Sequence, residues 1–192
     1  MSVAMEEFPR RHRITVEEYY RMGELGLLAP DARTELIEGE IIDMPPIGSR
    51  HAWVVIRLHE LLFRALDDRA HVRTGAPVRL DNYSEPQPDL SVVAGRADFY
   101  AERHPISSNT LLAIEVSETT LRYDRNRKSP LYARHGIPEL WIFDTQRKEL
   151  HVAQNPTETG YGKVFVADRP PSMPICALPG ITIDTSWFFE LP

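Results

Sequence analysis

Cysteine is almost absent from this sequence, since Cys176 is the only one among 192 residues. A single thiol excludes an intramolecular disulfide and a zinc site built on paired cysteines. Long apolar runs are also missing, because no segment approaches the roughly 18 apolar residues that a membrane helix requires. The charged amino-terminal residues do not resemble a secretory signal. We therefore expect a protein of the reducing cytoplasm.

Positive charge is in short supply as well. Lys and Arg total 22 against 28 for Asp and Glu, which gives a net charge of -6. A protein of this charge cannot act as a broad basic clamp on nucleic acid, so contacts with phosphates require a local basic region. Its length and hydrophobic fraction of 42% suit one packed core. No repeat, linker or low-complexity tract is visible, and we expect a single domain over residues 1–192.

The first part of the chain predicts two helices separated by a hairpin. Thr15 and Glu18 have the spacing of a capping box at the start of a short helix. Polar and apolar residues then alternate on both sides of Glu38-Gly39, which indicates two strands joined by a turn. From Ser49 onward, apolar residues recur at helical spacing as far as residue 68. This pattern predicts a long helix with Ser49 as its cap.

The remainder predicts a sheet with one further helix. Residues 110–118 form a nearly unbroken apolar run, which suits a strand covered on both faces. A helix is predicted over 123–136, where Pro130 either kinks it or marks a start near Ser129, and Gly136 ends it. Further strands are predicted at 71–80, 88–95, 160–168 and 181–189, with a hairpin at 139–154.

Two acidic residues stand out as candidates for chemistry. Asp89 immediately precedes the apolar run of 90–93, so its carboxylate can lie at the mouth of a strand. Glu115 interrupts the most hydrophobic strand, where a buried carboxylate without a partner costs several kcal/mol or stays protonated. A salt bridge or a bound cation would satisfy it. Carboxylates at the ends of neighbouring strands are ligands for Mg²⁺ or Mn²⁺ rather than zinc, and such an ion suits phosphodiester hydrolysis.

A spaced set of residues resembles the Uma-two family of restriction endonucleases, part of the PD-(D/E)XK nuclease superfamily. The similarity runs from about Thr34 to Val152. It is carried by Pro88-Asp89, Glu115-Val116-Ser117, Asp124, Lys128, Tyr132 and ELWIFD at 139–144. The resemblance implies an α/β fold with a mixed central sheet flanked by helices. It also implies metal-dependent cleavage of nucleic acid, with Asp89 and Glu115 as the metal ligands.

The chain departs from the superfamily pattern at Ser117, where the lysine of the usual motif would stand. The resemblance implies that Lys128 replaces it from the following helix, with Tyr132 one turn further along the same face. A lysine near the metal could orient or deprotonate the attacking water. An ordinary solvated lysine is the alternative.

Other residues complete the predicted site. The early acidic segment resembles a superfamily element that adds a ligand through water, and Glu38 is favoured over Glu35, although either could face solvent. His51 begins the long helix and could contact phosphate or water, or lie on the surface. Basic residues close in sequence to Lys128 could hold the nucleic-acid backbone, or balance nearby acids; they are Arg122, Arg125 and Arg127.

These residues lead to one expected function and to alternatives from other classes. We expect an enzyme that hydrolyses phosphodiester bonds in DNA with Mg²⁺ or Mn²⁺. The alternatives are a non-catalytic module that binds nucleic acid or protein, and a metal-dependent hydrolase of another phosphate ester. A homodimer would suit the cleavage of two strands.

Overall fold

The computed structural model describes residues 11–29 and 31–191. Its helices are α1 (Val16–Glu24), α2 (Ser49–Leu66), α3 (Leu121–Tyr123), α4 (Ser129–Arg134) and α5 (Ser186–Phe189), with a π-helical turn at Asp124–Lys128 and 3₁₀ turns at Asp67–Arg69 and Ser107–Asn109. Its strands are β1 (Thr34–Ile37), β2 (Glu40–Asp43), β3 (Ala70–Thr74), β4 (Leu90–Ala94), β5 (Thr110–Ser117), β6 (Glu139–Asp144), β7 (Glu149–Thr157), β8 (Gly160–Ala167), β9 (Ser172–Pro174) and β10 (Thr182–Asp184).

A six-stranded sheet forms the centre, in the order β3-β4-β5-β6-β7-β8. Strands β5 and β6 are parallel, because α3, the π-helical turn and α4 carry the chain back between them, and the other neighbours are antiparallel. The pairs β1-β2 and β9-β10 form two small separate sheets. The predicted α/β fold, a mixed central sheet flanked by helices, is confirmed.

Side-chain alternation along β5 divides its residues between two layers. Leu112, Ile114 and Val116 belong to the larger core, which also contains the buried face of α2 and the segment from β9 to α5. Ala113 belongs instead to the smaller core, together with Tyr132 of α4. Glu115 therefore points to the α4 side of the sheet, and the strand is covered on both faces as predicted.

The first helix and the first hairpin agree with the predictions from the sequence. Thr15 and Glu18 form both hydrogen bonds of the predicted capping box at the start of α1. The predicted hairpin is also present, with β1 and β2 joined at Glu38 and Gly39, whose φ angles are 53° and 82°. A side chain at Gly39 would lie 2.6 Å from the Cβ of Arg13, so this turn requires glycine.

Three local predictions are wrong. Ser49 is the first residue of α2 and not its cap, since Gly48 holds that position without a side-chain hydrogen bond. The strand predicted at 71–80 ends at Thr74, because Gly75 turns away with a φ of 54°. Residues 186–189 form α5 instead of a strand, because Asp184 accepts the Ser186 amide and starts a turn.

The segment 121–134 forms one continuous run of helical turns around Pro130. Pro130 lies in the first turn of α4, where its missing amide is tolerated. The Ser129 amide donates to the Asp124 carbonyl, five residues back, and this wider π-helical turn precedes the proline. Gly136 follows α4 with a φ of 77°, as a predicted stop residue should.

None of the helices in the described part of the chain is both long and apolar enough to cross a membrane.

Candidate active site

The start of β4 lies beside the end of β5, because the two strands are antiparallel and Leu90 pairs with Ile114. This register brings Asp89 next to the carboxyl end of β5. One carboxylate oxygen of Asp89 accepts the Val116 amide at 2.7 Å, and the other lies 2.9 Å from Nε2 of His51. The hydrogen bond to Asp89 raises the pKa of His51, against the opposing effect of burial. The first turn of α2 thus fixes the orientation of Asp89.

Glu115 has partners on the helical segment that covers its side of the sheet. Nζ of Lys128 lies 3.2 Å from both carboxylate oxygens, and the Tyr132 hydroxyl donates to Oε1 at 2.7 Å. Lys128 and Tyr132 are four residues apart, so they project from one face of the helix. Burial raises the pKa of Glu115 well above its ordinary value, and Lys128 partly offsets that effect.

Lys128 is fully buried and also contacts Glu35, whose Oε2 lies 3.1 Å from Nζ. Burial by itself lowers the pKa of Lys128, but Glu115 and Glu35 outweigh it and the pKa is raised. The backbone amide of Gln87 donates to the same Glu35 oxygen at 3.1 Å. Glu35 Oε1 is buried without a hydrogen-bond partner in the described structure. The Lys128 ammonium group therefore forms ion pairs with two buried carboxylates, those of Glu35 and Glu115.

Asp124 is a third carboxylate beside Asp89 and Glu115, and it is not among the site residues that the sequence predicts. Its Oδ2 accepts the hydroxyls of Ser117 at 2.5 Å and Thr120 at 2.7 Å. Burial raises the pKa of Asp124, while Lys128 and the two hydroxyls act in the opposite direction. The sequence carried two signals for it, since Asp124 is among the residues on which the family resemblance rests and lies four residues before Lys128 in a predicted helix.

The carboxylates of Asp89, Glu115 and Asp124 line a cavity of about 250 Å³. Its charged and polar lining residues are Asp89, Glu115, Asp124, Glu118, His51, Arg33, Thr119 and Thr120, and its other lining residues are Met44, Pro45, Pro46, Ile47, Gly48 and Val116. Lys128 and Glu35 do not line the cavity but lie behind Glu115. A larger cavity of about 520 Å³, beside Tyr20 and His104, contains none of the predicted site residues.

The two early acids have different surroundings. Glu38 lies in the β1-β2 turn, is more than one-third exposed, and pairs with Arg134 at 2.7 Å and Arg127 at 3.3 Å. Glu35 is completely buried beside Lys128. Glu38, which the sequence analysis favoured, is thus not brought to Asp89 and Glu115. Glu35, by contrast, contacts the same Lys128 ammonium group as Glu115.

The donors at the cavity have the chemistry that a hard divalent cation requires, although their ligand atoms do not all lie within 4.8 Å of one another in the described structure. Asp89, Glu115 and Asp124 offer only oxygen, which Mg²⁺ and Mn²⁺ prefer. Each carboxylate oxygen has two lone pairs. Both oxygens of Asp89 and Oε2 of Glu115 have one partner each and keep a lone pair for a metal, whereas Oε1 of Glu115 and Oδ2 of Asp124 each accept two hydrogen bonds. Asp124 Oδ1 accepts no hydrogen bond from any residue of the described chain.

A second set of donors lies outside this cavity, on the β6-β7 hairpin. Ligand atoms of Asp144, Glu149 and His151 all lie within 4.8 Å of one another. Asp144 already accepts the amides of Gln146 and Arg147, and the Arg147 guanidinium at 3.1 Å. Its carboxylate therefore caps the hairpin turn, and any metal titration must separate this set from the cavity.

A mixed sheet with acidic groups gathered at the end of its central strands defines a restriction-endonuclease-like α/β protein. The sequence matches the Uma2 family, described as "Putative restriction endonuclease", over residues 16–186, and the chain belongs to that family. It is also similar to a crystal structure from Anabaena variabilis described as "a putative nuclease belonging to DUF820". The TM-score is 0.69 at 18% identity, with 92% of this chain and 98% of the other covered. No curated protein matches the sequence.

Proposed function

We propose that this protein is a divalent-metal-dependent endonuclease that hydrolyses phosphodiester bonds in DNA. The observation that carries the proposal is the convergence of Asp89, Glu115 and Asp124 on one cavity, beside a buried lysine. Membership of the Uma2 family supports the nuclease class. As part of the same proposal, the protein acts in the cytoplasm and cuts both strands of DNA as a homodimer.

Asp89 and Glu115 would hold Mg²⁺ or Mn²⁺, and Asp124 would add a third oxygen. The ion would lower the pKa of a bound water and neutralise charge on the phosphate. His51 keeps the Asp89 carboxylate oriented through its 2.9 Å contact. Lys128 and Tyr132 keep the Glu115 carboxylate oriented in the same way.

Lys128 is proposed as a positioning residue. The sequence predicts that it assists the attacking water, but its ammonium group is fully buried and fully engaged by Glu35 and Glu115. A group without contact to the cavity acts on the reaction through the carboxylate that it holds. Direct assistance to the water stays a prediction from the sequence.

Supercoiled plasmid incubated with Mn²⁺ tests the proposal. We expect wild type to nick or linearise the plasmid and Asp89→Asn to lose at least about a hundredfold in rate, since the change removes the negative charge and one oxygen of a metal ligand while nearly keeping the shape of the side chain. Asp68→Asn is the matched control, because this exposed carboxylate lies after α2, outside the cavity lining. Equal rates in wild type and Asp89→Asn would overturn the site assignment.

Plasmid cleavage, together with separate measurements of DNA binding and of Mn²⁺ binding by calorimetry, tests the non-catalytic alternative. One observation favours that alternative, because Glu115 already has protein partners for both of its oxygens. A wild-type protein that binds DNA but neither binds Mn²⁺ nor cleaves plasmid would establish the binding module and reject the nuclease.

A further inference from the structure

A second cavity, of about 390 Å³, lies directly beside the candidate active site. The two cavities share Glu118 and Thr119 as lining residues. The other residues that line the second cavity are Leu121, Arg122, Arg125, Asn126, Asp144, Gln146 and Arg147. If the phosphate that is cleaved lies in the first cavity, a neighbouring part of the same nucleic-acid backbone would therefore lie at the second cavity.

Three arginines give this cavity an excess of positive charge. Arg122, Arg125 and Arg147 face two carboxylates, Glu118 and Asp144, and Asp144 is paired with Arg147 at 3.1 Å. The whole protein has a net charge of -6, so this is a local basic region of the kind that an acidic protein needs for contact with phosphate.

Arg122 and Arg125 are not used in internal salt bridges. Both side chains are exposed, and neither forms a hydrogen bond or ion pair with residues 11–29 or 31–191. Their neighbour Arg127 differs, because it pairs with Glu38 and Glu40 at 3.3 Å. Of the three arginines that the sequence suggested, two are thus available to a ligand.

The neutral lining also fits a phosphodiester backbone. Thr119, Asn126 and Gln146 offer hydroxyl and amide donors of the type that contact phosphate oxygens. No aromatic side chain lines the cavity, so a platform for base stacking is lacking among the described residues.

We propose that this second cavity is a phosphate subsite, in which Arg122, Arg125 and Arg147 hold the nucleic-acid backbone next to the bond that is cut. Arg147 belongs to the subsite and Arg127 does not. The subsite binds without regard to base sequence. The inference rests on the proposed nuclease function, which supplies the substrate.

Fluorescence anisotropy with a labelled DNA oligonucleotide, in EDTA and over a series of salt concentrations, tests the subsite. We expect Arg122→Ala and Arg125→Ala each to weaken binding severalfold. The slope of log K against log salt should shrink by about 1 for each arginine that no longer neutralises a phosphate. Arg147→Ala should act in the same direction. Two controls remove the same charge elsewhere: Arg127→Ala in the neighbouring ion pair and Arg64→Ala on α2.

The outcomes separate the subsite from the catalytic proposal. If the Arg122 and Arg125 variants bind no more weakly than the two controls, the subsite is overturned, although plasmid cleavage by wild type would still support the nuclease. Likewise, a wild-type protein that does not bind DNA overturns the subsite. If the slope shrinks as expected but Asp89→Asn cleaves like wild type, the subsite is supported and the catalytic assignment fails.

Discussion

Lys128 is a buried ammonium group shared by Glu35 and Glu115, and this arrangement decides how the site responds to mutation. Removing one member of a buried ion cluster leaves uncompensated charge, which costs more than the contacts suggest. A drop in the activity of a Lys128 variant would therefore not by itself establish a role in catalysis. Stability has to be measured beside activity.

We predict that Lys128→Met lowers the free energy of unfolding by about 3–5 kcal/mol, because two buried carboxylates then face each other without a cation. Adding Glu35→Gln to that variant should recover part of this stability, since it removes one of the two charges. Urea denaturation of the single and double variants measures both effects. Equal stability of Lys128→Met and wild type would show that the three groups do not form a charged cluster.

His51 provides a prediction about pH. Its pKa is raised in the folded protein by the hydrogen bond to Asp89, so it contributes stability that is fully present below the unfolded pKa of about 6.5. That stability is lost as the pH rises through the folded pKa. The difference in unfolding free energy between wild type and His51→Gln, in EDTA, should therefore be larger near pH 5.5 than near pH 8.5, as a rough range. A difference that grows with pH would contradict it.

At the scale of elements, the helical segment 121–134 supplies three of the groups that surround Glu115. Its π-helical turn contains Asp124 and Lys128, and α4 adds Tyr132. A π-turn inside a helix frequently occurs at functional sites, because the extra residue changes the direction of neighbouring side chains. The short hairpin β1-β2 supplies Glu35, which contacts Lys128 at 3.1 Å.

The β1-β2 turn gives a prediction with an internal control. Gly39→Ala should destabilise the protein by about 1–3 kcal/mol, because Gly39 has a positive φ and its new methyl would meet Arg13. Gly23→Ala is the control, since Gly23 lies in α1 with nothing within 4 Å of the added carbon, and it should stabilise by up to about 1 kcal/mol. Thermal or urea unfolding measures both. Similar effects of the two changes would show that the turn does not require glycine.

At the scale of the whole molecule, binding of Mn²⁺ to the folded state should raise Tm. A ligand at about 100 times its Kd adds about 2.7 kcal/mol to the unfolding free energy. We expect Mn²⁺ to raise Tm in wild type and His151→Ala, and not in Asp89→Asn. The His151 variant removes a donor from the hairpin set while leaving the cavity unchanged. If Mn²⁺ raised the Tm of Asp89→Asn but not that of His151→Ala, the metal would be assigned to the hairpin set instead of the cavity.

Some residues of the proposed site could be predicted from the sequence and others could not. Asp89 and Glu115 could be named because a carboxylate before or inside an apolar strand stands out against local periodicity. Lys128 and Tyr132 followed from the family resemblance and from helical spacing. Glu35 and Glu38 could not be separated, because residues in and beside a short hairpin have the same local pattern whether they face the core or solvent. Contact with Lys128, from a segment far along the chain, distinguishes them.

The sequence alone determined most of the elements and the family, since periodicity, capping residues, turn glycines and spaced motif residues can each be identified within short stretches of the chain. Only the tertiary structure decided which charged groups meet. It joined Glu35 to Lys128, added Asp124 to the cavity, and gave Arg127 the acidic partners Glu38 and Glu40, which Arg122 and Arg125 lack in the described structure. Such contacts depend on strand register and helix packing, which are set by the burial of the whole apolar surface.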